Sequence, residues 1–157
     1  MSRLQSIENA LSEINETVFQ ELCDSFLAIR NKNYATLSRS GSKSGKQKTI
    51  KGTPDTFLLL PNGKYIFVEH STNVSAGVSK LKDDINKCLD SEKTGVPVNQ
   101  IAEIILCINF NLKTDETQEL VDLLRDTRVL LTVYTLDALA IELHLNHRDL
   151  TLSLIHI

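Results

Sequence analysis

The sequence predicts an α/β protein with a mixed central sheet flanked by helices, and three patterns carry this prediction. Apolar residues recur every three or four positions near the N-terminus, as in an amphipathic helix. Two short apolar runs flank the turn Pro61-Asn62-Gly63, as in a hairpin. Nearly continuous apolar runs at residues 101–110 and 129–134 are typical of strands covered on both faces, and each follows a helical segment. The predicted order of elements is therefore α-β-β-β-α-β-α-β-α.

One long amphipathic helix is predicted at the N-terminus from a stripe of apolar residues. The members of this stripe are Leu4, Ile7, Leu11, Ile14, Val18, Leu22 and Ile29. Glu21 comes three residues after Val18 and seven after Ile14, so it lies at the edge of the buried stripe. A carboxylate at such an edge fits two interpretations, a functional acid or a boundary residue that extends to water.

The predicted hairpin brings two carboxylates face to face. Pro61 suits the first central position of a type I turn, and Gly63 can adopt the left-handed conformation that closes the loop. The register implied by this turn pairs Leu58 with Ile66, Thr56 with Val68, and Asp55 with Glu69. Directly opposed side chains lie about 5 Å apart at Cβ, and two carboxylates at that distance repel each other.

A divalent cation such as Mg²⁺ would offset the repulsion between Asp55 and Glu69. Hard cations bind carboxylate oxygens, activate water and stabilise the charge that develops during phosphodiester hydrolysis. A plainer interpretation stays open, in which Asp55 is a turn residue and Glu69 an exposed strand end. The side chain of His70 alternates to the opposite face of the sheet, where we expect it to be packed and hydrogen-bonded.

The remaining elements follow from apolar spacing along the chain. They are a first strand at residues 34–39, a helix marked by Val78, Leu81, Ile85 and Leu89, a loop at residues 91–99, a helix at residues 114–124 with Leu120, Val121 and Leu124 inward, and a last helix at residues 137–145. His144 and His147 fall near the end of the last helix, where we expect a solvated position.

A basic segment precedes Asp55 and contains Lys43, Lys46, Lys48 and Lys51 among serines and glycines. Cations on such a loop can contact a polynucleotide backbone and supply affinity that does not depend on sequence. A solvated surface loop is the alternative interpretation.

Composition limits the classes of protein that fit. The length of 157 residues suits one domain, and the formal net charge of −3 argues against an overall basic nucleic-acid-binding surface. The three cysteines are widely spaced, which predicts neither a disulfide framework nor a structural zinc site. Without a signal segment or a run long enough to span a bilayer, the expected location is the cytoplasm.

The last six residues, 152–157, read Leu-Ser-Leu-Ile-His-Ile. This is the translation of a transposon end sequence used as an adapter in sequencing libraries. We therefore expect a domain at residues 1–151, an adapter-derived tail at 152–157, and a natural chain that continues beyond residue 151.

Several motifs together resemble a known nuclease family. Pro54-Asp55, the following hairpin and Glu69-His70-Ser71 resemble the Pro-Asp…(Asp/Glu)-x-Lys nucleases, which have the restriction endonuclease-like fold. A wider resemblance, to the Mrr-related N-terminal effector domain of bacterial antiviral STAND NTPases, is carried by these segments: Phe19-Gln20-Glu21-Leu22, Lys51-Gly52-Thr53-Pro54-Asp55-Thr56, Lys64-Tyr65-Ile66-Phe67-Val68-Glu69 and Asp84-Ile85-Asn86-Lys87-Cys88-Leu89.

The resemblance implies a DNA endonuclease that depends on Mg²⁺ or Mn²⁺ and forms the N-terminal effector domain of a larger antiphage defence protein. It further implies double-stranded DNA as the substrate, C-terminal NTPase and sensor regions, and a homo-oligomeric full-length protein.

The resemblance also implies roles for individual residues. Asp55 and Glu69 would hold the metal together with the main-chain carbonyl of His70. Glu21 corresponds to a glutamate on the first helix that reaches the active centre of the family. Ser71 and Asn73 correspond to the hydroxyl and amide positions that follow Glu69, where they would position water or phosphate.

Ser71 stands where the usual motif has lysine, and this departure leaves two interpretations open. A cation from another position, Lys80, Lys82 or Lys51, would preserve catalysis, because the lysine stabilises charge in the transition state. Alternatively, the domain is a catalytically inactive nuclease fold that binds nucleic acid or mediates assembly.

Overall fold

The structure is a computed structural model, and it describes residues 2–30, 38–39 and 54–155. Its helices are α1 (Arg3–Glu13), α2 (Glu16–Arg30), α3 (Gly77–Leu89), α4 (Ser91–Thr94), α5 (Thr114–Asp122), α6 (Leu136–Asn146) and α7 (Arg148–Ile155), with a 3₁₀ turn at Val98–Gln100. Its strands are β1 (Ser38–Arg39), β2 (Thr56–Leu59), β3 (Tyr65–Ser71), β4 (Ile101–Ile108) and β5 (Leu130–Tyr134).

The strands form one mixed sheet in the order β1-β2-β3-β4-β5. The pairs β1–β2 and β2–β3 are antiparallel, whereas β3–β4 and β4–β5 are parallel. Helix α3 leads from β3 to β4 and helix α5 leads from β4 to β5, as parallel strands require. The predicted α/β class with a mixed sheet flanked by helices is confirmed, and it is consistent with a restriction endonuclease-like fold.

The hairpin register is also confirmed. Thr56 pairs with Val68 and Leu58 pairs with Ile66. The Leu60 N–H donates to the Lys64 carbonyl at 2.8 Å, which closes the loop. Gly63 has a φ of 86°, the left-handed conformation that the turn chemistry predicted.

Two apolar layers cover the sheet. The α2 face, which includes Val68, packs against helices α1, α2 and α6. The α3 face, which includes Phe67, packs against helices α3 and α5. Because side chains alternate along a strand, Glu69 shares the α3 face with Phe67, whereas His70 shares the α2 face with Val68.

The prediction of one long N-terminal helix is wrong in one respect, because the structure has two helices there. Ile14 ends α1 in an extended conformation, with ψ at 143°. The Asn15 side chain then accepts a hydrogen bond from the Val18 N–H at 2.9 Å, which caps the start of α2. Apolar spacing alone cannot show such a break, because the stripe continues across it.

Smaller corrections concern the other helices. The predicted loop at residues 91–99 contains α4 and the 3₁₀ turn. Val121 is 45% exposed rather than inward. His147 is buried instead of solvated, because its ring packs edge-on against Phe26 with the centroids 5.1 Å apart.

The last predicted helix extends further than the pattern indicated. Helix α6 ends at Asn146, and α7 then continues through Ile155. Leu150 and Leu154 pack against the α2-face core. The adapter origin of residues 152–157 stays a prediction. In the part of the chain that the structure describes, no helix has the length and apolar character to cross a membrane.

Candidate metal and phosphate site

Asp55 and Glu69 meet at the end of the hairpin through a reciprocal pair of hydrogen bonds. The Asp55 main-chain N–H donates to Glu69 Oε1 at 2.7 Å. The His70 main-chain N–H donates to Asp55 Oδ2 at 2.9 Å. Each carboxylate therefore uses one oxygen to hold the other residue's strand, and its second oxygen lies outside these two bonds. The sequence prediction that the two acids come together is borne out by these contacts.

Glu69 is held in an electrostatically unfavourable position. Glu69 is only 6% exposed to solvent. Burial, followed by repulsion from Asp55 and Asp84, raises the pKa of Glu69 from 4.5 to about 8. A carboxylate in this setting favours either a proton or a cation beside it.

A third acid, Asp84 on helix α3, interacts electrostatically with this pair. Burial raises its pKa, and repulsion from Asp55 acts in the same direction. Sequence reasoning missed Asp84 as a site residue, although a signal was present. Leu81, Asp84, Ile85 and Cys88 form the buried stripe of α3, and an acid within an apolar stripe requires a partner.

Lys80 supplies the partner for Asp84. Its Nζ lies 2.8 Å from Asp84 Oδ2, one helical turn away. Burial alone would lower the pKa of Lys80, but the hydrogen bond with Asp84 and attraction from Asp84, Glu69 and Asp55 raise it. Lys82 instead forms an ion pair with Glu119 on α5. Of these two lysines, Lys80 is therefore the one that contacts Asp84.

Cys88 belongs to the same stripe of α3 and is fully buried. Burial raises the pKa of this thiol well above its usual value, and Glu69, Asp84 and Asp55 raise it further. The side chain therefore stays protonated and acts as part of the core rather than as a nucleophile.

The α2 face of the same strand holds a different polar group. His70 Nε2 lies 3.1 Å from Asp24 Oδ1, and His70 Nδ1 lies 3.4 Å from Asp55 Oδ2. The Thr56 hydroxyl donates to Asp24 at 3.2 Å. Burial alone would lower the pKa of His70, but its hydrogen bonds with Asp24 and Asp55 outweigh burial and raise the pKa to about 10. The expectation of a packed, hydrogen-bonded histidine is confirmed.

Ser71 and Asn73 both shape the turn that leads into α3. Ser71 is 1% exposed, and its hydroxyl oxygen accepts a hydrogen bond from the Asn73 N–H at 3.2 Å. The Asn73 side chain accepts from the Ser75 hydroxyl at 2.8 Å and from the Ala76 N–H at 3.2 Å. Their predicted role in positioning water or phosphate stays a prediction, beside a structural role that these contacts show.

Glu21 lies apart from the Asp55–Glu69 pair. It is exposed on α2, in a groove that it lines with Val18, Leu22 and Leu150. Helix α2 packs on the opposite side of the sheet from Glu69. The α2 carboxylate that contacts the hairpin is instead Asp24, one turn further along the helix. The spacing of apolar residues could not distinguish these two acids.

The predicted nucleic-acid contacts Lys43, Lys46, Lys48 and Lys51 lie outside the described residues. The sequence places them immediately before Asp55, so their proposed role stays a prediction.

The arrangement of oxygens fits a hard divalent cation. The His70 N–H points to the Asp55 side of β3, and the N–H and C=O of one strand residue point the same way, so the His70 carbonyl is directed there too. Two carboxylates and a carbonyl would be a donor set suited to Mg²⁺ or Mn²⁺, with water in the other positions. Across residues 2–30 and 54–155, no three His, Cys, Asp or Glu side chains form a metal-binding group by themselves.

Comparisons with family models, curated proteins and solved structures found no match. The nuclease family that the sequence motifs resemble therefore stays a prediction.

Proposed function

We propose that this chain is a metal-dependent DNA endonuclease domain. The observation that carries the proposal is the Asp55–Glu69 pair, in which a buried carboxylate lies beside a second carboxylate that repels it. Two such carboxylates are costly if they only support the fold, because they repel each other. A divalent cation bound to both would offset this repulsion. The pair lies at the end of a hairpin, and this supports the proposal because the motif that the sequence resembles has its acids in such a hairpin.

The reaction is hydrolysis of a phosphodiester. The oxygen of water bonds to phosphorus, one ester P–O bond breaks, and the departing oxygen takes up a proton to become a hydroxyl. When bound, the divalent cation supplies activation of the water and neutralisation of the phosphate charge. Asp55 and Glu69 orient the donor oxygens, because each accepts a main-chain N–H from the neighbouring strand.

The wider setting of the proposal follows from the family resemblance. We place the domain at the N-terminus of a larger cytoplasmic antiphage defence protein with NTPase and sensor regions. Double-stranded DNA is the substrate, and Lys43, Lys46, Lys48 and Lys51 contact its backbone. A homo-oligomer of the full-length protein gathers the domains, because cutting both strands requires two nuclease centres.

A second candidate function is a catalytically inactive module that binds nucleic acid or mediates assembly. The observation that favours it is Ser71, which occupies the motif lysine position and is buried in contact with the turn. In this case the acids hold a cation or a proton without hydrolysis, and the fold alone would not reveal the difference.

The experiment that tests the proposal compares the wild-type chain with Asp55→Asn and Glu69→Gln. We expect supercoiled plasmid to be cleaved by the wild type with Mg²⁺ or Mn²⁺ and not with chelator, and both variants to abolish cleavage. Both substitutions keep a hydrogen-bond acceptor, so the fold is retained. Mg²⁺ is also expected to raise the Tm of the wild type but not of the variants, because only binding to the native state shifts unfolding.

The matched control is Asp83→Asn, an exposed acid on α3 beside Asp84. This variant is expected to cleave as the wild type does. Every protein is assayed both as the 157-residue chain and fused to an inducible dimeriser. The dimeriser is needed because one nuclease centre cuts one strand at a time, and cutting both strands requires two centres held close together. Equal cleavage by the wild type and both site variants would contradict the proposal. Binding of DNA without any metal-dependent cleavage would favour the inactive module.

A further inference from the structure

The site has a cationic group on helix α3 instead of on the strand. Lys80 contacts Asp84 at 2.8 Å, and its side chain is 33% exposed, so the ammonium borders both Asp84 and solvent. Asp84 is 6% exposed and fixes the side of α3 on which the ammonium lies. Because α3 packs on the face of the sheet that carries Glu69, this ammonium lies on the same face as that carboxylate.

The packing of α3 against β3 fixes the positions of Asp84 and Lys80. Leu81 and Ile85 are buried in the α3-face core with Phe67 of β3, which holds the helix against the strand that carries Glu69. Asp84 lies between these two apolar positions along the helix, so it faces the same strand. Lys80 reaches Asp84 across one turn, and both interact electrostatically with Asp55.

Lys82 provides an internal comparison. It lies two residues after Lys80, and residues two apart on a helix do not share a face. Its ammonium pairs with Glu119 on the neighbouring helix α5. The two lysines are chemically the same, but only Lys80 faces the candidate site.

We propose that Lys80, oriented by Asp84, contacts the scissile phosphate and replaces the cation that Ser71 lacks. The inference rests on the proposed nuclease function and names one residue for its charge stabilisation. An ammonium has three donors, so Lys80 can keep one bond to Asp84 and direct the others at phosphate oxygens. Asp84 is a positioning residue, because it acts through Lys80.

The first test removes and then restores the ammonium at this position. We expect Lys80→Cys to lower plasmid cleavage by about 100-fold, the size of effect seen when one donor to a transition-state oxyanion is removed. Alkylation with 2-bromoethylamine rebuilds an ammonium on the new thiol and should restore most of the rate. The three native cysteines are buried, so the folded protein reacts at the introduced residue. Lys82→Cys, treated identically, should stay within about 3-fold of the wild type throughout.

The second test separates chemistry from a merely structural ion pair. If Lys80 served only to neutralise Asp84, then Lys80→Met would have no further effect once Asp84→Asn had removed the acid. If Lys80 contacts the phosphate, the double variant should cleave about 100-fold more slowly than Asp84→Asn alone, with kcat lowered. The double variant also leaves no unpaired charge at this point of α3, which protects the fold. The Mg²⁺-induced rise in Tm should persist in each variant.

The outcomes distinguish this inference from the function on which it rests. An active wild type whose Lys80 variants cleave at the same rate would overturn the role of Lys80 and leave the nuclease proposal standing. A wild type that cleaves nothing with Mg²⁺ or Mn²⁺ would overturn both. A loss of cleavage that aminoethylation does not restore, and that disappears in the Asp84→Asn background, would make Lys80 a structural partner only.

Discussion

Glu69 and His70 are neighbours on β3, yet the two faces of the sheet treat their charges in opposite ways. On the α2 face, the His70 ring contacts Asp24 and Asp55, so a buried cation lies between two acids. On the α3 face, the Glu69 carboxylate is repelled by Asp84 and by the same Asp55. The buried His70 is therefore paired with opposite charges, whereas the buried Glu69 is repelled by charges of its own sign.

This difference is what we expect between a polar group that supports the fold and one that binds a cation. Buried charges that only stabilise a fold are paired, because an unpaired one costs several kcal/mol. A buried carboxylate that lies among like charges takes up a proton or a cation instead, and Lys80 neutralises only part of this acidic group. The contrast predicts that removing an acid should harm stability on the α2 face and relieve repulsion on the α3 face.

The largest expected effect is the loss of Asp24. We expect Asp24→Ala to destabilise the protein by about 3–5 kcal/mol at pH 7, because it removes a carboxylate partner from the buried His70 cation. Asp84→Ala on the other face is expected to change stability by less than about 1 kcal/mol, since the Lys80 it leaves unpaired is partly exposed and can be hydrated. Urea unfolding with chelator present measures both. Equal losses for the two variants would remove the distinction between the faces.

A smaller effect, with a defined pH dependence, is expected at Glu69. Its pKa is raised from 4.5 to about 8, so the native state keeps a proton that the unfolded state releases between these values. Stability without metal therefore falls as the pH rises from about 4.5 to about 8, by an amount on the order of a few kcal/mol. We expect Glu69→Gln to lose this fall and to be more stable than the wild type at pH 8.

The measurement is the free energy of unfolding of both proteins at pH 5 and pH 8, with chelator throughout. The pKa of His70 is raised from 6.5 to about 10, so His70 also lowers stability as the pH rises above 6.5, but it does so in both proteins. The difference between them therefore isolates Glu69. A difference that does not change with pH would show that Glu69 is compensated in the native state, and the contrast between the faces would fail.

The sequence predicted the strand residues of this arrangement better than the helix residues that face them. The turn at Pro61 and Gly63 sets the register by local chemistry, so the meeting of Asp55 and Glu69 could be read from it. Strand alternation likewise placed His70 away from Glu69. Asp24 and Lys80 could not be placed, because their roles depend on how α2 and α3 pack against the strand.

Helix packing explains why the sequence pointed to Glu21 and not to Asp24 on α2; the role of Glu21 stays a prediction. Glu21 and Asp24 both border the apolar stripe, and the break at Ile14 rotates α2 independently of α1. A single continuous stripe gives no information about that rotation. Asp84 was missed for a different reason. An acid within an apolar stripe is taken for an interruption of the pattern, although a buried acid is the kind of residue that most needs a partner.

The smallest expected effect compares two buried hydroxyls, one on each side of the contrast. Thr56 donates to Asp24, and Ser71 accepts from the Asn73 N–H, so Thr56→Val and Ser71→Ala each remove one hydrogen bond. We expect each to cost about 1 kcal/mol in urea unfolding and to leave plasmid cleavage within about 3-fold of the wild type. The two hydroxyls would then be alike, and the position of the missing motif lysine would be purely structural.

If Ser71→Ala instead lost cleavage 100-fold or more while Thr56→Val did not, at equal stability, the Ser71 hydroxyl would take part in the chemistry. The α3 face would then contain a group that acts in cleavage besides the carboxylates and Lys80 for which we propose roles, as the family resemblance implies.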